Sequence, residues 1–193
     1  HHQGSGGDQA HLLCKLLEDK GYRVWHDNSQ ASNQRNLDGM KKGVRESECL
    51  LIFLSGRKET DTKPDPAGEY EGPFTRWFCH EEMATAHAEG LRCIGVKETD
   101  DRHAIADFAL EKERACTGGK NADGVADGQT PVHPLAKQNL RLLDEVCFTP
   151  FRREAHEIGA MLTEILRQAR IAPRLGAVPE GVPPEPEPEP EPE

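Results

Sequence analysis

The chain has 193 residues, 35% hydrophobic and 30% charged, with a formal net charge of −10. That length suits one domain of ordinary size plus a tail, not two full domains. The acidic balance argues against a general polyanion binder, so nucleic acid is not an expected partner. No apolar run approaches the ~20 residues that cross a bilayer, and no secretory h-region opens the chain, so no membrane segment is expected here.

The opening HHQGSGGDQA runs straight into a helix. Gly4-Ser5-Gly6-Gly7 reads as a loop of small residues whose free N–H groups form an anion site at a helix N-terminus. Such a loop normally leaves a strand, and none precedes it, so the chain reads as a fragment lacking its first strand. Leu12, Leu13, Leu16 and Leu17 predict an amphipathic helix over Ala10 to Lys20, stopped by Gly21 and followed by a short strand, Tyr22 to Trp25. Leu37, Met40 and Val44 predict a helix over Leu37 to Glu46. The continuous apolar run Cys49 to Leu54 predicts a strand buried on both faces of a parallel sheet. Gly56 to Pro73 lacks periodicity and follows a strand end, where an active-site loop would lie.

Trp77 to Glu89 predicts a helix and Leu91 to Val96 a further strand. The stretch 116–134 has the composition of a flexible insertion, and Leu140 to Phe148 reads as a last strand. Arg152 to Arg170 predicts a closing helix with Ile158, Met161, Leu162, Ile165 and Leu166 inward. The domain is therefore expected over residues 1–172, with 173–193 a disordered Glu/Pro-rich tail. From Pro179 onward Glu and Pro nearly alternate, which forbids helix and sheet pairing; six Glu here leave a charge of −4 for the rest. Strand–helix alternation at this spacing implies βαβ units and an α/β fold with a parallel sheet.

Six cysteines at 14, 49, 79, 93, 116 and 147 contain no CxxC, and read as reduced thiols of a cytoplasmic protein. Cys14, Cys49 and Cys147 sit among apolar residues and read as core thiols. Cys79, His80, His87 and Cys93 do not put three ligands on one helix face, so no metal is expected. Ser47 and Ser55 have no His–Asp arrangement at readable spacing, which leaves a serine hydrolase unsupported.

Three blocks in order, GYRVWHD (21–27), LDGMKKGVRESECLLIFLS (37–55) and FCHEEMATA (78–86), resemble a TIR (Toll/interleukin-1 receptor) domain over about residues 1–170. The resemblance implies a flavodoxin-like three-layer sandwich with a parallel sheet of about five strands. It also implies intracellular signal transduction, in one of two forms. Some members of the family cleave NAD+ at the nicotinamide–ribose bond, with NAD+ as substrate and no cofactor. Others are non-enzymatic adaptors that act by homotypic association with other TIR domains.

In the NAD+-cleaving members a helix glutamate is catalytic. Matching Phe78, Cys79, Met83 and Ala86 to the family pattern places that role on Glu82, whereas aligning on Trp77 selects Glu81. Helical periodicity does not separate the two, and the helix dipole alone also favours carboxylates near this helix start. The same resemblance puts His2 and Gln3 where NAD+-cleaving relatives carry basic residues. It further assigns Ser5 and Gly6 to a phosphate-binding loop, Asp27 beside the site, Phe78 stacking on a ring, and 28–36 to the self-association segment. One carboxylate suffices for the chemistry. Cleavage builds an oxocarbenium-like ribose that a carboxylate stabilises, and the leaving group is already cationic.

Overall fold

The computed structural model describes residues 3–27, 30–31, 36–56, 72–103, 105–115 and 133–170. In chain order they form α1 (Gln3–Glu18), α2 (Leu37–Arg45), β1 (Cys49–Leu54), a 3₁₀ turn (Pro73–Thr75), α3 (Trp77–Ala88) and β2 (Arg92–Lys97). Then follow α4 (Phe108–Ala115), the one-turn helices α5 (Ala136–Asn139) and α6 (Leu142–Glu145), β3 (Phe148–Pro150) and α7 (Ala155–Ala169). The strands make a parallel sheet in the order β1-β2-β3, with Cys49 opposite Arg92 and Gly95 opposite Phe148. An α/β fold with a small parallel sheet is therefore present.

Alternation along the strands sends residues to two apolar clusters. Phe53, Ile94 and Val96 meet Leu13 and Leu17 of α1 and Met161, Leu162 and Ile165 of α7. Ile52, Leu54 and Phe148 meet Cys79 and Met83 of α3, Ala115 of α4 and Leu143 of α6. Each cluster is a helix stripe at three- and four-residue spacing laid on one side of the pleat.

Three expectations are corrected. Gly4 to Gly7 is not a loop but lies within α1. Glycines cost a helix about 1 kcal/mol each relative to alanine, yet here one is required. Gly6 rests against the Ser55 hydroxyl and Phe53, where a Cβ would collide, so close packing on the end of β1 overrides propensity. Tyr22 to Trp25 forms no strand, because no described segment supplies a ladder partner; Tyr22 and Val24 still pack on the α1/α7 cluster. Leu140 to Phe148 is α6 and its flanking turns before a strand only at Phe148. Ala136, Leu140 and Leu143 recur at helical, not alternating, spacing. Among the described residues the sheet has three strands.

Gly21 does end α1 as predicted. It adopts φ +81°, and Tyr22 N–H reaches back to the Leu17 carbonyl at 3.1 Å, closing a Schellman turn. The insertion expected at 116–134 and the tail at 173–193 lie outside the described residues, apart from the turn that begins at His133. No helix among the described residues is long and apolar enough to cross a membrane.

Beyond the strand ends, Glu98 is fully buried and holds the loop after β2 to the loop after β3. Its carboxylate accepts from Arg153 through both oxygens and from the Thr99 and Asp100 N–H groups at 3.0 and 2.9 Å. Burial opposes ionisation of Glu98, but these donors outweigh it and hold the carboxyl below its usual range. Replacing Glu98 with alanine leaves the half-buried guanidinium of Arg153 with Asp100, at 3.8 Å, as its remaining described partner, so Glu98→Ala is expected to lose about 3 kcal/mol in urea denaturation at pH 7.

Candidate functional site

Four faces of α3 do four different jobs. Cys79, Met83 and Ala86 point into the core. Trp77 and Glu81, four residues apart, face α2 and the segment after residue 132. His80 is buried between the 3₁₀ turn and α5. Phe78 and Glu82, again four apart, share the remaining face; both are half-buried, and Phe78 contributes to neither apolar cluster.

The structure separates the two candidate glutamates. Glu81 is bound on both sides: Lys41 Nζ of α2 stands 2.6 Å from Oε2, and His133 Nε2 stands 3.0 Å from Oε1. Burial opposes its ionisation, yet the bonds from Lys41 and His133 prevail and keep the carboxyl below its usual value. Glu82 has no hydrogen bond or ion pair with any described residue. Burial, reinforced by the nearby negative charge of Asp27, pushes its carboxyl up to about 7. Adjacent residues of one helix thus hold opposite protonation tendencies.

The histidines beside Glu81 have defined tautomers. His80 Nε2 lies 2.7 Å from the Phe74 carbonyl, an acceptor, so it carries the proton; Nδ1 accepts from the Asn139 amide at 3.0 Å. His133 Nδ1 accepts the Leu135 N–H at 3.1 Å, so its Nε2–H donates to Glu81. The two rings stack at 5.1 Å and 17°, with Trp77 edge-on to His133 at 4.4 Å. Burial and the neighbouring His133 lower His80 to about 4. A neutral His80 is what this packing accepts.

Of the other expected site residues, Asp27 lies close enough to act electrostatically on Glu82. It follows the Trp25 ring, which packs on Gly43 of α2, and the buried His26, whose Nε2 is 3.7 Å from Asp27 Oδ1. Gln30 closes the turn after Asp27, its amide donating to the His26 carbonyl at 3.2 Å. Gly6 sits at the end of β1 against Ser55. Gln3 and Ser5 belong to the first turn of α1, their side chains outside the description, and His2 and most of 28–36 lie outside the described residues altogether.

The residues that sequence reasoning missed are Lys41, His133 and Asn139. Lys41 is one lysine of a KK pair, and the other two lie in or beside segments without periodicity, so no local signal marks them. Cys79 is buried, and burial pushes its thiol up to about 11, which leaves it unsuited to act as a nucleophile beside Glu82. Cys147, expected in the core, is exposed. A cavity of about 780 Å³ opens on the other side of α3 and includes neither Glu82 nor Asp27.

Two pH predictions follow from the burial of these groups. A carboxyl with a raised folded pKa favours folding below its unfolded value of 4.5 and loses that contribution as pH rises through about 7. Glu82→Gln is therefore expected to be more stable than the parent by about 3 kcal/mol at pH 8 and indistinguishable from it at pH 4, by urea midpoint at each pH. A histidine with a depressed folded pKa acts in the opposite direction. The stability tied to neutral His80 is present above 6.5 and lost as pH falls toward about 4. His80→Gln should flatten that acid loss, which amounts to about 3 kcal/mol in the parent.

No family model, no curated protein and no solved structure matches the chain.

Proposed function

We propose that the chain is a TIR-like domain that cleaves NAD+ to release nicotinamide, with Glu82 as the catalytic carboxylate. The observation that carries this reading is the contrast between neighbours on α3. Glu81 is consumed by Lys41 and His133, while Glu82 is half-buried, free of hydrogen bonds to described residues, poised near 7, and on the same face as an aromatic ring. Carboxyls shifted by burial beside a charged neighbour cluster at functional sites.

In the proposed reaction the bond between ribose C1′ and the nicotinamide nitrogen breaks, and its electron pair leaves with the nicotinamide. The positive charge passes to the ribose, where ionised Glu82 stabilises it, with Asp27 adding negative potential. Water then attacks C1′, and a carboxylate with a pKa near 7 takes its proton. Phe78 offers a face for the pyridinium ring, and the end of β1 under Gly6 offers small-residue backbone to the rest of the substrate.

The finer fold belongs to the same proposal. A flavodoxin-like sheet of about five strands gives β1 a neighbour on its outer side. β1 is an edge strand among the described residues, yet all six of its residues are apolar. That composition supports an interior position.

The test is nicotinamide release from NAD+ at high protein concentration, where association with other TIR domains is favoured. Glu82→Ala is expected to lower turnover by at least ~100-fold, and Glu81→Ala to reduce it far less. Loss with Glu81→Ala alone would transfer the role to Glu81. No release from the folded, self-associating parent would leave the adaptor reading in place.

A further inference from the structure

The cavity of about 780 Å³ lies between the C-terminal half of α3, the start of β2 and the α5–α6 segment. Its lining mixes apolar side chains, Met83, Leu91, Cys93, Leu142 and Val146, with polar ones that include His87 of α3 and Asn139 of α5. Burial pushes the Cys93 thiol up to about 11, so it is a neutral, apolar part of that wall. Three charged residues line the cavity at four-residue spacing: Lys137, Arg141 and Glu145. Neither cation makes an ion pair or side-chain hydrogen bond with a described residue, in contrast to Lys41, Lys112 and Arg153.

We propose that this cavity binds a small amphiphilic carboxylate, its acid group between Lys137 and Arg141 and its apolar body against Met83, Leu91 and Leu142. The volume lies within the range of small-ligand sites, and the lining offers an apolar strip beside placed charges, which suits a ligand that carries both. The two adjacent cations supply charge complementarity, and Glu145, one turn beyond, repels the acid from the other end and so orients the ligand. The assignment is independent of any chemistry at Glu82, which faces away from the cavity.

The chain offers three reporters, Met40, Met83 and Met161, of which only Met83 lines the cavity. Full-length protein carrying ¹³C-methyl methionine, with the resonance assigned by Met83→Leu, is titrated with decanoate and, separately, with decanol, both below their aggregation limits. The Met83 methyl is expected to shift and saturate with decanoate while Met40 and Met161 stay in place. Decanol should bind at least ~10-fold more weakly, and the double variant Lys137→Glu, Arg141→Glu should weaken decanoate by a similar factor. The proposal is overturned if Met83 does not move, if all three methyls move together, if decanol matches decanoate, or if the double variant binds decanoate undiminished. A Met83 shift produced by a peptide of residues 183–193 and not by decanoate would also overturn it, giving the cavity to an acidic segment instead.

Discussion

Glu81 sits where three separately placed pieces of chain converge. Its carboxylate receives Lys41 from α2 on one oxygen and His133, from the turn before α5, on the other, and it rides on α3. A charge with 19% of its side chain exposed is tolerated only because both oxygens are satisfied. His133 can serve Glu81 because the Leu135 N–H fixes its tautomer, and its ring is sandwiched by His80 and Trp77. His80 in turn binds Phe74 in the 3₁₀ turn and Asn139 in α5. Much of the polar order on this side of the sheet follows from satisfying that one carboxylate.

The consequence for the neighbouring glutamate is electrostatic isolation. Lys41 and His133 serve Glu81, while Glu82 is buried beside the negative charge of Asp27 and is pushed toward its neutral form. Successive helix residues lie about 100° apart, enough to place one carboxyl in a saturated ion cluster and the next in a pocket without compensation. Such division of labour between two carboxyls is how one helix can offer a structural anchor and a titratable group together.

The sequence was most informative where periodicity was strong. Cys49 to Leu54, Trp77 onward and the α7 stripe of Met161, Leu162 and Ile165 fold much as their spacing predicts, because each buries apolar side chains at the period of its element. It failed where long-range packing or pairing decides. Gly6 is helical because Ser55 and Phe53 lie beneath it, 47 to 49 positions away in the chain, and no local rule anticipates that. Tyr22 to Trp25 has strand composition but no described partner. Leu140, Leu142 and Val146 alone suggest alternation, and the helical spacing shows only once Ala136 and Leu143 are counted with Leu140 and Asn139 is seen to bind His80. For the site, the residues named Glu81 and Glu82 as candidates, and only Lys41 and His133, 40 and 52 positions from Glu81, distinguish them.

The anchoring of α3 at both ends limits how this helix can move. At its start the His80 ring is bonded to Phe74 and Asn139, and at its end the Leu91 N–H returns to Ala86 at 2.8 Å in a second Schellman turn. Between these points Met83 and Ala86 are locked into the core. Rotation about the helix axis, or sliding along it, would break several of these contacts at once. The bearing of Glu82 is therefore fixed by contacts that Glu82 itself does not make.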